Sequence, residues 1–207
     1  ADRVEAYLTA MASRNPAPAA RTLNSHLQGI KTLCRWAVRG RLIPFNPLDG
    51  VMPRSEREKR IKRRPLTEGE VERLLAVAPT SPLVRARTLR KHQPSPERVQ
   101  ALLKEGAGTA LTWRLLIFTG LRVGELGALR WGDLDLEART LHVRAETAKS
   151  GKAAVLPLIG HLVEALRAWR EKAQGQPGEA VVPTSRDMAR RLRLDLKLAG
   201  IPYKDEA

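Results

Sequence analysis

The stretch Thr119-Gly120-Leu121-Arg122-Val123-Gly124-Glu125-Leu126 constrains this chain more than any other. It follows an apolar helical run with a glycine, then sets an arginine where no packing rule asks for one. The run 113–118 has the character of a buried helix, and Gly120 stands where it can end that helix at little steric cost. Arg122 then opens the next helix. Free backbone N–H groups at a helix start favour the oxygen of an anion, and a guanidinium beside them adds a fork of donors suited to the same group. The segment Leu129-Arg130-Trp131-Gly132-Asp133 follows closely. Two interpretations of Arg122 stand at this point: a phosphate-facing site residue, or a surface arginine paired with Glu125 or Asp133.

Farther on, the alternating run Thr140-Leu141-His142-Val143-Arg144 predicts a strand, and 153–158 predicts a second. Between them Lys149-Ser150-Gly151-Lys152 forms a hairpin tip, with Ser-Gly supplying the turn and a lysine at each shoulder. Taken together, Thr-Gly-Leu-Arg with its following Glu-Leu, Leu-Arg-Trp-Gly-Asp, Lys-Ser-Gly-Lys and the exit Val155-Leu156-Pro157-Leu158 make the chain resemble the tyrosine recombinases of the phage-integrase family. The resemblance covers most of the sequence.

Charge points to the same class of partner. Lys and Arg number 37 against 22 Asp and Glu, a net charge of +15, and such an excess favours a polyanion, with double-stranded DNA first. A membrane is disfavoured, because no apolar stretch approaches the roughly 20 residues needed to span a bilayer. Cys34 is the single cysteine and lies on an apolar helical face, which suits core packing in a reducing compartment. With no signal peptide in view, the cytoplasm, in association with DNA, is the expected location. No Cys/His cluster suggests a metal.

Toward the N-terminus, Val4, Tyr7, Leu8 and Met11 fall at helical spacing, followed by the breakers Asn15-Pro16-Ala17-Pro18. A second helix has the apolar stripe Leu23, Leu27, Ile30, Cys34, Ala37 and Val38, with Gly40 placed to end it. Its opposite side gathers Asn24, Gln28, Lys31, Arg35 and Arg39 within an arc of about 80°. Each of these types reaches phosphates or base edges, and the arc holds no acidic residue; the competing interpretation is an ordinary solvated face. The segment 54–65 carries seven basic and two acidic residues, among them Lys59, Arg60, Lys62, Arg63 and Arg64. It buries no face, so it is expected to be a linker whose cations follow a DNA backbone.

Thr67 with Glu70 three residues later is a capping box that opens the second domain, with Val71, Leu74 and Leu75 facing inward. The stretch 81–108, with Arg85, Arg87, Arg90 and Lys91, is an elaboration without an assigned role. Beyond the hairpin, 161–169 suits an amphipathic helix, Ala180-Val181-Val182 a short edge strand, and 186–198 a basic helix.

The resemblance implies a mainly α fold with a small antiparallel β-hairpin or sheet. Residues 1–53 would be a partial helical core-binding (SAM-like) domain, 54–65 the linker, and 66–207 an α+β catalytic domain lacking its C-terminal part. In the family a tyrosine hydroxyl attacks a DNA phosphate, giving a 3′-phosphotyrosine link that is later religated, without metal or nucleotide cofactor. Arg122 matches the family's first arginine and would stabilise the non-bridging oxygens. Lys149, eight residues before Pro157, matches the hairpin lysine that protonates the departing 5′ oxygen, with Lys152 second in line and Ser150 at the DNA. Glu125 would brace the arginine. None of His26, His92, His142 and His161 has an arginine three residues later, so the family's His-x-x-Arg motif is missing. Tyr7 lies on a core stripe and Tyr203 precedes the place where the missing motifs would begin. The chain is therefore expected to bind DNA, to be inactive in cleavage as it stands, and to self-associate on DNA only when full length. A helix-turn-helix regulator and a structural nucleic-acid binder remain as alternatives from other classes.

Overall fold

The computed structural model describes residues 1–55, 64–89, 93–185 and 187–203. Lys59, Arg60, Lys62 and Arg63 of the basic segment lie outside the described residues. The chain divides into two compact units, Ala1–Lys62 and Arg63–Ala207.

The first unit pairs helix α1 (Asp2–Ala12) with helix α2 (Ala20–Arg39). Leu8 and Met11 meet Leu23 and Leu27, and Leu48 and Val51 close the cluster from the segment after α2. Cys34 and Ile30 pack at its border. Tyr7 departs from the expected core stripe: it is 44% exposed and sets its ring edge-on against His26. The end of α2 also differs in detail. Gly40 is not left-handed; Arg41 is, at φ 55°. Arg41 N–H bonds Val38 O and Leu42 N–H bonds Ala37 O, the pattern of a Schellman motif whose left-handed position falls one residue past the glycine.

The second unit holds α3 (Glu68–Val77), α4 (Ser81–Leu89), α5 (Pro96–Thr119), α6 (Val123–Ala128), a 3₁₀ turn (Trp131–Asp133), strands β1 (Leu134–Asp135), β2 (Thr140–Val143) and β3 (Ala154–Pro157), and helices α7 (Gly160–Ala173) and α8 (Met188–Leu198). This is the mainly helical fold with a small antiparallel sheet expected from the sequence. The sheet runs β1-β2-β3, with Leu141 opposite both Leu134 and Leu156. The capping box of α3 forms as its spacing predicts: Glu70 N–H donates to the Thr67 hydroxyl at 3.3 Å, and Thr67 N–H to the Glu70 carboxylate at 2.9 Å.

Leu115 on α5, Leu126 on α6, Leu141 on β2 and Leu162 and Leu166 on α7 are fully buried in one cluster. At about 1.5–3 kcal/mol for each such side chain, this cluster is what fixes the helices around the sheet. The elaboration 81–108 joins that architecture. Residues 96–108 are the first half of α5, and Gly106 passes so close to α4's approach that a Cβ would fall 1.7 Å from Pro79 O. Arg85 on α4 and the Trp113 indole on α5 each donate at 2.8 Å to the fully buried carboxylate of Asp195 on α8. Arg85 thus serves packing.

Residues 180–182 do not form the expected strand. Ala180 makes a single antiparallel bridge to Arg130, Val181 N–H bonds Leu129 O, and the Trp169 indole donates to Val181 O. With its main chain engaged by the turn at 129–131 and by a side chain, the segment lies off the sheet and sends Val181 and Val182 into the core.

Candidate active site

Gly120 takes φ 68° and ends α5, with its N–H on Leu116 O at 3.2 Å. The chain reverses there, Leu121 is buried, and Arg122 becomes the N-cap of α6. The arginine therefore stands where the sequence places it, at a helix start. Its side chain is 61% exposed and that of Glu125 only 9%, so the guanidinium meets solvent over a carboxylate held beneath it.

Glu125 is the pivot. One carboxylate oxygen accepts the Arg122 backbone N–H at 2.9 Å. The other accepts the Arg122 guanidinium at 2.9 Å and the backbone N–H of Lys149 at 3.3 Å. Arg122 Nη1 and Lys149 N thus share one oxygen, so by the sum of the two bonds they are no more than about 6 Å apart. The Arg122 backbone N–H, then its guanidinium and the Lys149 N–H hold the Glu125 carboxyl below its ordinary value, against an opposing desolvation. A carboxylate so held stays ionised and braces the arginine without competing for an incoming phosphate.

The connection from β2 to β3 is longer than a tight two-residue turn. It starts one residue earlier than the alternation predicts, and residues 144–153 form a loop. Thr147 and Ala148 N–H groups bond Arg144 O, and Gly151 takes φ 67° with its N–H on Ala148 O. Ser150 turns its hydroxyl inward to accept Lys152 N–H at 3.4 Å. Lys149 and Lys152 are exposed, and neither ammonium is hydrogen-bonded or ion-paired among the described residues.

The Leu-Arg-Trp-Gly-Asp segment is scaffold for this site. Trp131 is buried, and Gly175 lies so near its indole that a Cβ would fall 2.1 Å from Nε1. Asp133 caps the Arg130 backbone N–H and sits 3.3 Å from the Arg144 guanidinium, which also donates to Ala128 O at 2.7 Å. Nothing in the alternating pattern around Arg144 marks that contact, because it depends on the distance between β2 and the end of α6.

The residues expected to face DNA divide. Asn24 exchanges two hydrogen bonds with the Arg54 backbone, at 2.9 and 2.8 Å, and Lys31 donates to Val51 O at 2.7 Å. Both anchor the segment 51–54 against α2, whereas Gln28, Arg35 and Arg39 are exposed. Arg64 makes a two-pronged ion pair with Glu70, both bonds 2.7 Å, and this holds the Glu70 carboxyl down to about 2. Tyr203 lies beneath the Arg193 guanidinium, 5.0 Å from ring to cation. An open cleft of about 850 Å³ is lined by residues such as Asp135, His142, Arg167 and Glu171 and by none of Arg122, Glu125 and Lys149. Among the described residues no group of three His, Cys, Asp or Glu side chains is placed to hold a metal ion, and no helix is long and apolar enough to cross a membrane.

This arrangement of arginine, carboxylate and lysine lies inside a segment that matches a known family: residues 64–201 match the profile described as the phage integrase family. The chain belongs to the phage integrase family. Among the relatives of this integrase-family chain is a tyrosine recombinase XerC of Xanthomonas campestris pv. campestris, 42% identical over 69 residues, 33% of this chain and 20% of that protein. A second is XerC of Chlamydia trachomatis, 27% identical over 162 residues, 78% of this chain and 42% of that protein. The chain therefore spans about a fifth to two-fifths of these relatives. In three dimensions it is similar to a lambda integrase dimer bound to a COC′ core site, with a TM-score of 0.61 and 18% identity over 98% of this chain and 66% of the other. That likeness is one of fold.

Proposed function

We propose that this chain carries out the DNA-engaging part of site-specific recombination by tyrosine-recombinase chemistry. Residues 1–53 grasp the duplex, 54–65 link, and 66–207 contribute to the catalytic domain. The observation that carries this reading is the shared Glu125 oxygen, which draws Arg122 and Lys149 to one exposed, cationic surface. A guanidinium at a helix start and an ammonium on the adjacent loop suit one phosphodiester. Arg122 neutralises the non-bridging oxygens as charge grows on them. Lys149 gives its proton to the 5′ oxygen as the P–O5′ bond breaks and a tyrosine oxygen, its hydroxyl proton passing to solvent, bonds to phosphorus. The products are a 3′-phosphotyrosine and a free 5′ hydroxyl, and religation reverses the step.

In this reading neither described tyrosine is the nucleophile. Tyr7 packs on His26 in the first unit, and Tyr203 sets its ring against the Arg193 guanidinium. The 207 residues bind duplex DNA, leave it uncut, and reach the self-associated state on DNA as part of the full-length protein. Two solved neighbours, a lambda integrase dimer bound to a COC′ core site and a Tn1549 transposon integrase in complex with a circular intermediate DNA, support DNA as partner.

Salt dependence of duplex binding tests the assignment. Each phosphate contact contributes about 0.9 to the slope of log K against log salt, so Arg122→Ala and Lys149→Ala should each lower the slope by about one. Arg167→Ala, which removes a partner of Glu137, should leave it unchanged. A parent-like slope in both Arg122→Ala and Lys149→Ala sinks the reading and favours a passive binder.

A further inference from the structure

We infer that Arg144 is a positioning residue of the candidate site, joining the helix that presents Arg122 to the loop that presents Lys149. Its side chain and its main chain do different things. The guanidinium donates to Ala128 O at 2.7 Å, and Ala128 is the last residue of α6, so this carbonyl has no partner within the helix. The same guanidinium lies 3.3 Å from Asp133 Oδ1, the residue that also caps the Arg130 backbone N–H. Arg144 thereby satisfies the last carbonyl of α6, the Arg130 guanidinium meeting Gly127 O at 3.3 Å beside it, while Glu125 accepts the Arg122 N–H at the helix start. The Glu146 carboxylate is 3.5 Å away and 69% exposed, too solvated to add much.

The carbonyl of Arg144 accepts three donors from the loop. Thr147 N–H, Ala148 N–H and the Thr147 hydroxyl bond it at 3.1, 3.0 and 3.0 Å. The turn that delivers Lys149 is wound on this one oxygen. The loop is consequently held at two points, at its root through Arg144 and at its tip through Lys149 N–H on Glu125. Removing the guanidinium leaves the carbonyl in place but releases the root from α6, and the Lys149 main chain is then left to its bond with Glu125. A guanidinium suits this place because two of its nitrogens, Nε and Nη2, meet two separate acceptors; a lysine offers a point charge to one of them. The catalytic consequence of this arrangement rests on the role of Lys149 proposed above.

Amide hydrogen exchange on the 207-residue chain tests it, read on peptides covering 144–153, α5 and α7. In Arg144→Ala the 144–153 peptide should exchange at least about tenfold faster, with α5 and α7 unchanged, and Arg144→Lys should fall between it and the parent. Unchanged exchange in 144–153 overturns the inference. So does equal acceleration in all three peptides, which would make Arg144 a general stabiliser. If the loop loosens in Arg144→Ala while Lys149→Ala leaves the salt slope of duplex binding intact, Arg144 keeps its positioning role and Lys149 loses its assignment.

Discussion

The backbone N–H of Lys149 donates to the carboxylate of Glu125 at 3.3 Å, across 24 positions of chain. That bond turns two separate motifs into one site. Glu125 already holds the Arg122 backbone and guanidinium, so one half-buried carboxylate sets the N-cap of α6, the direction of the arginine and the tip of the lysine loop. A glutamine cannot replace it, because its single acceptor oxygen would have to serve three donors and its amide nitrogen would face one of them. Glu125→Gln should accelerate exchange of the Lys149 amide and lower the salt slope of duplex binding; a variant matching the parent in both would show that Glu125 is dispensable.

The carboxylates of Glu70 and Glu125 are both held below the ordinary value of 4.5, Glu70 at about 2 by the Arg64 fork and the Thr67 N–H. A carboxyl with a depressed folded-state pKa contributes stability that is complete above its unfolded value and is lost as pH falls through the folded one. The difference in Tm between the parent and Glu70→Gln should therefore be constant above about pH 5 and shrink steadily between the ordinary carboxylate value and about pH 2. A difference that vanished already at pH 4 would contradict the ion pair.

Asp195 should be the costliest single substitution in the second unit. It is fully buried and its two oxygens answer to Arg85 and Trp113, so Asp195→Ala strands a guanidinium and an indole N–H. Breaking a buried pair of this kind costs about 3–5 kcal/mol. Urea denaturation followed by tryptophan fluorescence should show that loss, and the joint replacement Arg85→Met with Asp195→Leu should recover part of it.

At the end of α2, Arg41 occupies a left-handed position at φ 55°. Relief of that conformation in Arg41→Gly should stabilise the first unit by up to about 1 kcal/mol, net of the glycine's greater freedom when unfolded. A thermal melt of the variant resolves it. The opposite sign would mean that the arginine's own contacts outweigh the backbone strain.

On the exposed part of α2, Arg35→Ala should weaken duplex binding by about 1–3 kcal/mol if the side chain meets a base edge. Lys31→Ala should act differently, by loosening Val51 and the segment after it, and should show as a lower Tm of the first unit. Equal affinities and equal melts in both variants would leave this face a solvated one.

Local chemistry was legible along the chain. Gly120 ends a helix, Thr67 and Glu70 form a capping box, residues 140–143 and 154–157 pair as strands, and Arg122 opens a helix, all from short-range propensity and spacing. The family, too, could be read from four short motifs. What the tertiary structure decided were the pairings between distant side chains. Arg64, Asn24 and Lys31 have the composition of DNA contacts yet are turned inward to Glu70, Arg54 and Val51, and Arg85 answers a carboxylate 110 positions away. An arginine's charge does not specify its partner; the partner is whichever acceptor the packed backbone brings within about 3 Å. For the same reason β1, two residues long, and the grip of Arg144 on α6 left no periodic trace. Residue type and motif spacing mark the side chains able to handle a phosphate; the packing of α6 against the 144–153 loop selects which of them stand together.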